Sequence, residues 1–128
     1  MKKNKNYFIL IAGIMNSFTA LLHAIGGQID LVSPLQKSDL TNQTKAEWLG
    51  VWHIVTILLF TTSFFLIRTF LKDHKNETLR YIGYLYVLFA IPFIVSSLLN
   101  GLLAPQWILL LPIGLLTIIG ERKYDYTN

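Results

Sequence analysis

Four apolar stretches alternate with polar, mostly charged segments along this chain. Residues 7–29, 48–67 and 81–99 each offer close to the roughly 20 apolar residues a helix needs to cross a bilayer. A last apolar run, resuming at Pro105-Gln106, predicts a fourth helix over 105–124, because proline suits a first helical turn. Residues 30–47 read as a polar connector with Ser33-Pro34, Asn42 and three acids. Within it, Ser38-Asp39 and Thr41-Asn42 have the chemistry to cap a short interfacial helix. Residues 68–80 are a charged connector, and Asn100-Gly101 is a strong turn signal. Pro92 and Pro112 predict bends that neighbouring helices can accommodate. No internal repeat is visible. The pattern predicts one all-α domain over 1–128, an integral membrane four-helix bundle running up-down-up-down.

Composition agrees. The chain is 53% hydrophobic and 14% charged, about half the charge of an ordinary soluble domain, and its mean hydropathy is +0.50. The absence of cysteine excludes disulfides, thiolate metal sites and cysteine-based redox chemistry. A lysine-led apolar start also suits a secretory signal, but the first stretch is long. Its best cleavage candidate, Leu22-His23-Ala24, puts a large residue where a small one is wanted, so an uncleaved first span is expected.

Charge placement predicts orientation. Lys2, Lys3 and Lys5 precede the first span, Arg68, Lys72, Lys75 and Arg80 lie between the second and third, and Arg122 and Lys123 follow the fourth. These are nine of the eleven basic residues. Only Lys37 and Lys45 fall in the alternate connectors, so both termini are expected in the cytoplasm of a multi-pass cell-membrane protein. This placement accounts for the net charge of +4 without any nucleic-acid partner.

The candidate chemistry lies between His23 and His53. In the first span Asn16, Thr19, His23 and Gly27 recur at helical spacing and form one polar, small-residue face. Gly50, His53, Thr56 and Ser63 make a comparable face in the second, with Trp52 expected to turn toward lipid or the boundary. By rise per residue, both histidines lie about 7 Å on the outer side of the midplane, so antiparallel neighbours bring them to one height. Ser96, Ser97, Asn100 and Gln106 are expected at the same outer mouth. Intramembrane ionisable groups point to ligand or ion sites. Imidazole binds metal or haem iron, hydrogen-bonds quinones and shuttles protons. The ligand set read from sequence is His23 and His53, also the metal candidates, with Asn16, Thr19, Thr56 and Gln28 around them. Two imidazoles are too few for a closed zinc site, so Gln28, Asp30 or another chain would complete it; a metal ion or haem is the cofactor class implied. The competing reading is that the histidines only bond between helices whose small residues let them approach. That reading makes the chain an accessory subunit, a homo-oligomer or part of a larger membrane complex.

Other residues carry less. His74 sits in a charged turn with Asp73 and Lys75 and reads as solvated. Tyr81, Tyr84 and Tyr86 lead into the third span, and Tyr81, Tyr84, Trp107 and Tyr124 read as boundary anchors. Gly13, Gly26, Gly27 and Gly114 read as packing positions. No span carries an acid in its core, no phosphate loop, zincin helix or nucleophile elbow is present, and no base accompanies Ser96-Ser97. Hydrolase chemistry therefore has no support, and a non-enzymatic role is the favoured expectation.

The first half of the chain resembles a group of uncharacterised small bacterial four-span membrane proteins. Their first hairpin carries His-x-x-x-Gly-Glu, then an apolar-x-Pro-Leu step, then Trp-His. The counterparts are His23, Gly27 and Gln28, then Pro34-Leu35, then Trp52-His53. The resemblance implies that the two histidines belong together, and it brings no activity with it. Gln28 departs from the group's acid, which weakens any ligand or proton-accepting role there.

Overall fold

A computed structural model of the chain describes residues 5–72 and 77–126. Among the described residues every regular element is helical: α1 (Tyr7–Lys37), α2 (Asn42–Lys72), α3 (Thr78–Asn100) and α4 (Gln106–Tyr126). The first three are long and apolar enough to cross a membrane. Large apolar side chains such as Phe18, Ile25, Ile54, Phe64, Leu88 and Leu98 stay exposed around the outside. In water that surface would be untenable; in lipid tails it is the expected exterior. His74 and its neighbours in the second connector lie outside the described residues.

Two helices outgrow their apolar runs. α1 continues past Ile29 to Lys37, and α2 begins at Asn42 rather than at Trp48. Only residues 38–41 separate them, so the expected long connector is mostly helix. Thr41 is the cap, as its side chain suggested, but it caps the long helix: the Thr44 amide donates to Thr41 Oγ1 at 3.2 Å. α1 contains two π-helical turns, Leu22–Gly26 and Gln28–Val32. Pro34 supplies a reason for the second, because its ring crowds the carbonyl four residues back and it has no amide proton for a tight turn. Ser33 Oγ donates to Gln28 O at 2.8 Å beside it. α3 ends at Gly101, whose φ of 60° is a left-handed cap, with the Leu102 amide returning to Ser97 O. α3 and α4 remain helical through Pro92 and Pro112.

The helices pack as α1 on α2, α3 on α4, and α1 on α4. Contacts run in opposite order along each of the two hairpins. Gly13 meets Leu66 and Ile67, while His23 meets Trp52; Arg80 meets Glu121, while Gly83 and Val87 meet Gly114. The core includes Ile9, Ala12, Ala20, Leu59, Leu66, Leu79, Ala90 and Ile113. α3 and α4 approach so closely at Gly83 and Gly114 that a Cβ on Gly114 would lie 2.8 Å from Gly83 O and 2.9 Å from Val87 N. At the other end of α4, Asn6 Nδ2 donates to Gly120 O. Tyr7 meets Phe70, and Lys123 Nζ sits 4.3 Å over the Phe8 ring. Lys5 to Phe8, the end of α2 and the end of α4 thus gather at one end of the bundle. Glu121 is buried at that end, accepting from Arg80 Nη2 at 2.9 Å. Tyr124, expected at the boundary, is buried in the core cluster.

Candidate functional site

Three helices meet around Asn16. Its side chain is fully buried, as is that of Tyr86, with Thr62 nearly so. Asn16 Nδ2 donates to Thr62 Oγ1 at 2.9 Å and to Leu59 O at 3.2 Å. Thr62 Oγ1 lies 2.6 Å from Tyr86 OH, which donates to Asn16 Oδ1 at 2.8 Å. With the Thr62 hydroxyl proton on Tyr86, these bonds close a ring through α1, α2 and α3. In lipid an unpaired polar group is expensive, so such a closed set holds helices in register. Tyr86, read from sequence as part of an aromatic entry to the third span, is its hub. The available signal was spacing: Tyr86 shares a helical face with Leu79, Ile82, Gly83 and Ala90, whereas Tyr81 and Tyr84 do not.

About seven residues further toward the Ser38 end, His23 meets α2, at Trp52. The two rings stack with centroids 3.7 Å apart and planes 14° apart. His23 Nε2 lies 3.4 Å from Trp52 O, a long contact, and Thr56 Oγ1 donates to the same oxygen at 2.9 Å. Gly27 lies against the indole so closely that a Cβ there would collide with Trp52 Cη2 and Cζ2. Trp52 is therefore packed against α1 and half-buried, where the sequence predicts a residue turned to lipid or the boundary. The inward face of α2 runs Trp52, Val55/Thr56, Leu59, Thr62/Ser63, Leu66, Thr69/Phe70, a seven-residue recurrence. His53, one residue on and so about 100° around the helix, is exposed, as is Gly50.

The set read from sequence is therefore divided. Asn16 and Thr19 are buried on the expected face of α1, but Asn16 serves the Tyr86 ring and Thr19 Oγ1 donates to Met15 O in its own helix. His23 and Thr56 share the Trp52 carbonyl. Gln28 and Asp30 are exposed. No hydrogen bond or ring contact joins His23 to His53. Ser97 serves the turn after α3, accepting from the Ala104 amide at 2.9 Å, and Asn100 bonds back to Ser96. Among the described residues no group of three or more His, Cys, Asp or Glu could hold a metal ion. Comparison with protein families, with curated proteins and with solved structures gives no match for this chain.

Gly27→Val is expected to push the indole off the imidazole. The measurable results are loss of near-ultraviolet dichroism from Trp52 and destabilisation by about 1–3 kcal/mol, the usual range for overpacking. Unchanged spectra with unchanged stability would show that the stack does not depend on bare backbone at residue 27.

Proposed function

We propose that this chain is a non-catalytic membrane subunit that works by self-assembly, with both termini cytoplasmic and the α1–α2 connector outside. One observation carries the reading. His53 presents an imidazole on the exposed face of an apolar helix, and Gly50, one turn away, has no neighbouring atom within 4 Å of where a Cβ would stand. An intramembrane imidazole is costly against lipid tails, whereas a helix from a second copy, approaching at Gly50, gives it a hydrogen-bond partner and backbone contact. Thr56, Thr62, Ser63 and Tyr86, by contrast, are satisfied inside the chain. The excess of Lys and Arg at one end of the bundle supports the orientation.

Native mass spectrometry of detergent-purified protein tests assembly. The expected result is a defined homo-oligomer that His53→Leu or Gly50→Leu dissociates, with helical content preserved. A monomer in both parent and variants overturns the reading. Stoichiometric metal or a visible haem band, lost in both His23→Ala and His53→Ala, would instead favour a two-histidine ligand site. Orientation is accessible because the chain has no cysteine of its own. A membrane-impermeant thiol reagent applied to intact cells is expected to label Ser38→Cys and spare Glu77→Cys; the reverse pattern inverts the topology.

A further inference from the structure

Asn16 and Tyr86 are hydrogen-bonded and so lie at one level. Counting outward from them, α1 continues twenty-one residues to Lys37, but α3 only fourteen to Asn100. The first hairpin therefore overhangs the second by about 10 Å at 1.5 Å per residue. The end of α3 is level with Asp30 on α1 and, counted from Thr62, with Trp48 on α2. At this level, between the two overhanging helices, lies an open-sided cavity of about 300 Å³. Its lining comes from Leu31, Val32 and Leu35 on one side and Trp48, Leu49 and Trp52 on the other. No residue of α3 or α4 reaches it.

We infer that this cavity binds a hydrocarbon chain of a membrane lipid, drawn from the leaflet on the Ser38 side. Two observations select that occupant. All six lining side chains are apolar, so the bound portion must be apolar too. The cavity also stands at the level where the shorter hairpin ends, with an exposed tryptophan, Trp48, at its edge, as at a membrane boundary. Lipid chains are the apolar molecules that reach this height at high concentration. The wall is pre-built. The second π-turn of α1 ends at the buried Val32, and Trp52 is held flat between His23, Gly27 and the cavity. Packing against bare backbone leaves the indole no room to collapse inward and close the space.

Only the choice of leaflet rests on the orientation proposed above. Vesicles carrying the probe in both leaflets therefore test the cavity whichever way the chain inserts. The probe is phosphatidylcholine brominated on its acyl chains, which quenches tryptophan on contact. With Trp48→Phe and Trp107→Phe, Trp52 is the sole emitter. Its emission is expected to be quenched by the bromolipid, and Leu31→Glu, which puts a carboxylate on the lining, should abolish that contact quenching. Leu35→Phe, which fills the space with an apolar ring, should do the same without adding charge. In the companion protein that keeps only Trp107, Leu31→Glu should change nothing, separating a local effect from altered insertion. Failure of bromolipid to quench Trp52, or quenching that survives both lining variants, overturns the inference.

Discussion

Gly114→Leu is expected to destabilise the bundle by about 3 kcal/mol or more, at or beyond the top of the usual range for overpacking. A Cβ at Gly114 would lie 2.8 Å from Gly83 O and 2.9 Å from Val87 N, and these are backbone atoms with no rotamer to move. Relief requires α3 and α4 to separate. That separation would strip the close van der Waals contact that drives helix pairing in lipid, where there is no hydrophobic gain to compensate. Gly26→Leu is the matched control, because nothing stands within 4 Å of its Cβ position. Unfolding by denaturing detergent in mixed micelles reads both. If Gly114→Leu loses no more stability than Gly26→Leu, the close approach of the second hairpin is not what holds it.

Asn16→Leu should have the next largest effect, about 2–4 kcal/mol. The change deletes two donated bonds and one accepted bond. It also leaves the Tyr86 hydroxyl with Thr62 as its remaining partner in the ring, and each buried hydrogen bond lost costs about 0.5–1.5 kcal/mol. Tyr86→Phe removes one of the same bonds, so the double variant Asn16→Leu/Tyr86→Phe is expected to be more stable than the sum of the single losses allows. That non-additivity is the signature of residues acting in one network. Strictly additive losses would mean that the three side chains are neighbours without being a unit.

The helical class and three membrane-length helices were legible from apolar run length alone. Where the helices end was less so. Residues 30–37 and 42–47 look polar enough for a loop, yet they are helical, because α1 and α2 continue past the apolar zone as a pair and Thr41 caps the return. The polar face of α1 was correctly grouped, with Asn16, Thr19, His23 and Gly27 all turned toward neighbours. The face of α2 was missed by one residue. Trp52 and His53 are both amphipathic, and either could serve as the inward member. Reading the recurrence of Leu59 and Leu66 back by sevens would have chosen Trp52. Tyr124 was misplaced for a related reason. Aromatic residues near helix ends suit a membrane boundary, and only a neighbour that can accept or exclude them decides otherwise.

Length, hydropathy and the spacing of charges are properties of the chain itself. They determined that it is helical and membrane-like, that the basic residues concentrate in alternate connectors, and that the chain carries no cysteine and no phosphate-loop motif. Partnership is a property of phase. One residue along a helix is a turn of about 100°, so a single step decides whether an imidazole meets an indole or the surroundings. Only packed neighbours set that angle: bare backbone at Gly27 receives the Trp52 ring, and Asn16 and Thr62 receive Tyr86. The unequal reach of the two hairpins, and the apolar cavity it leaves uncovered, likewise exist only once all four helices are assembled.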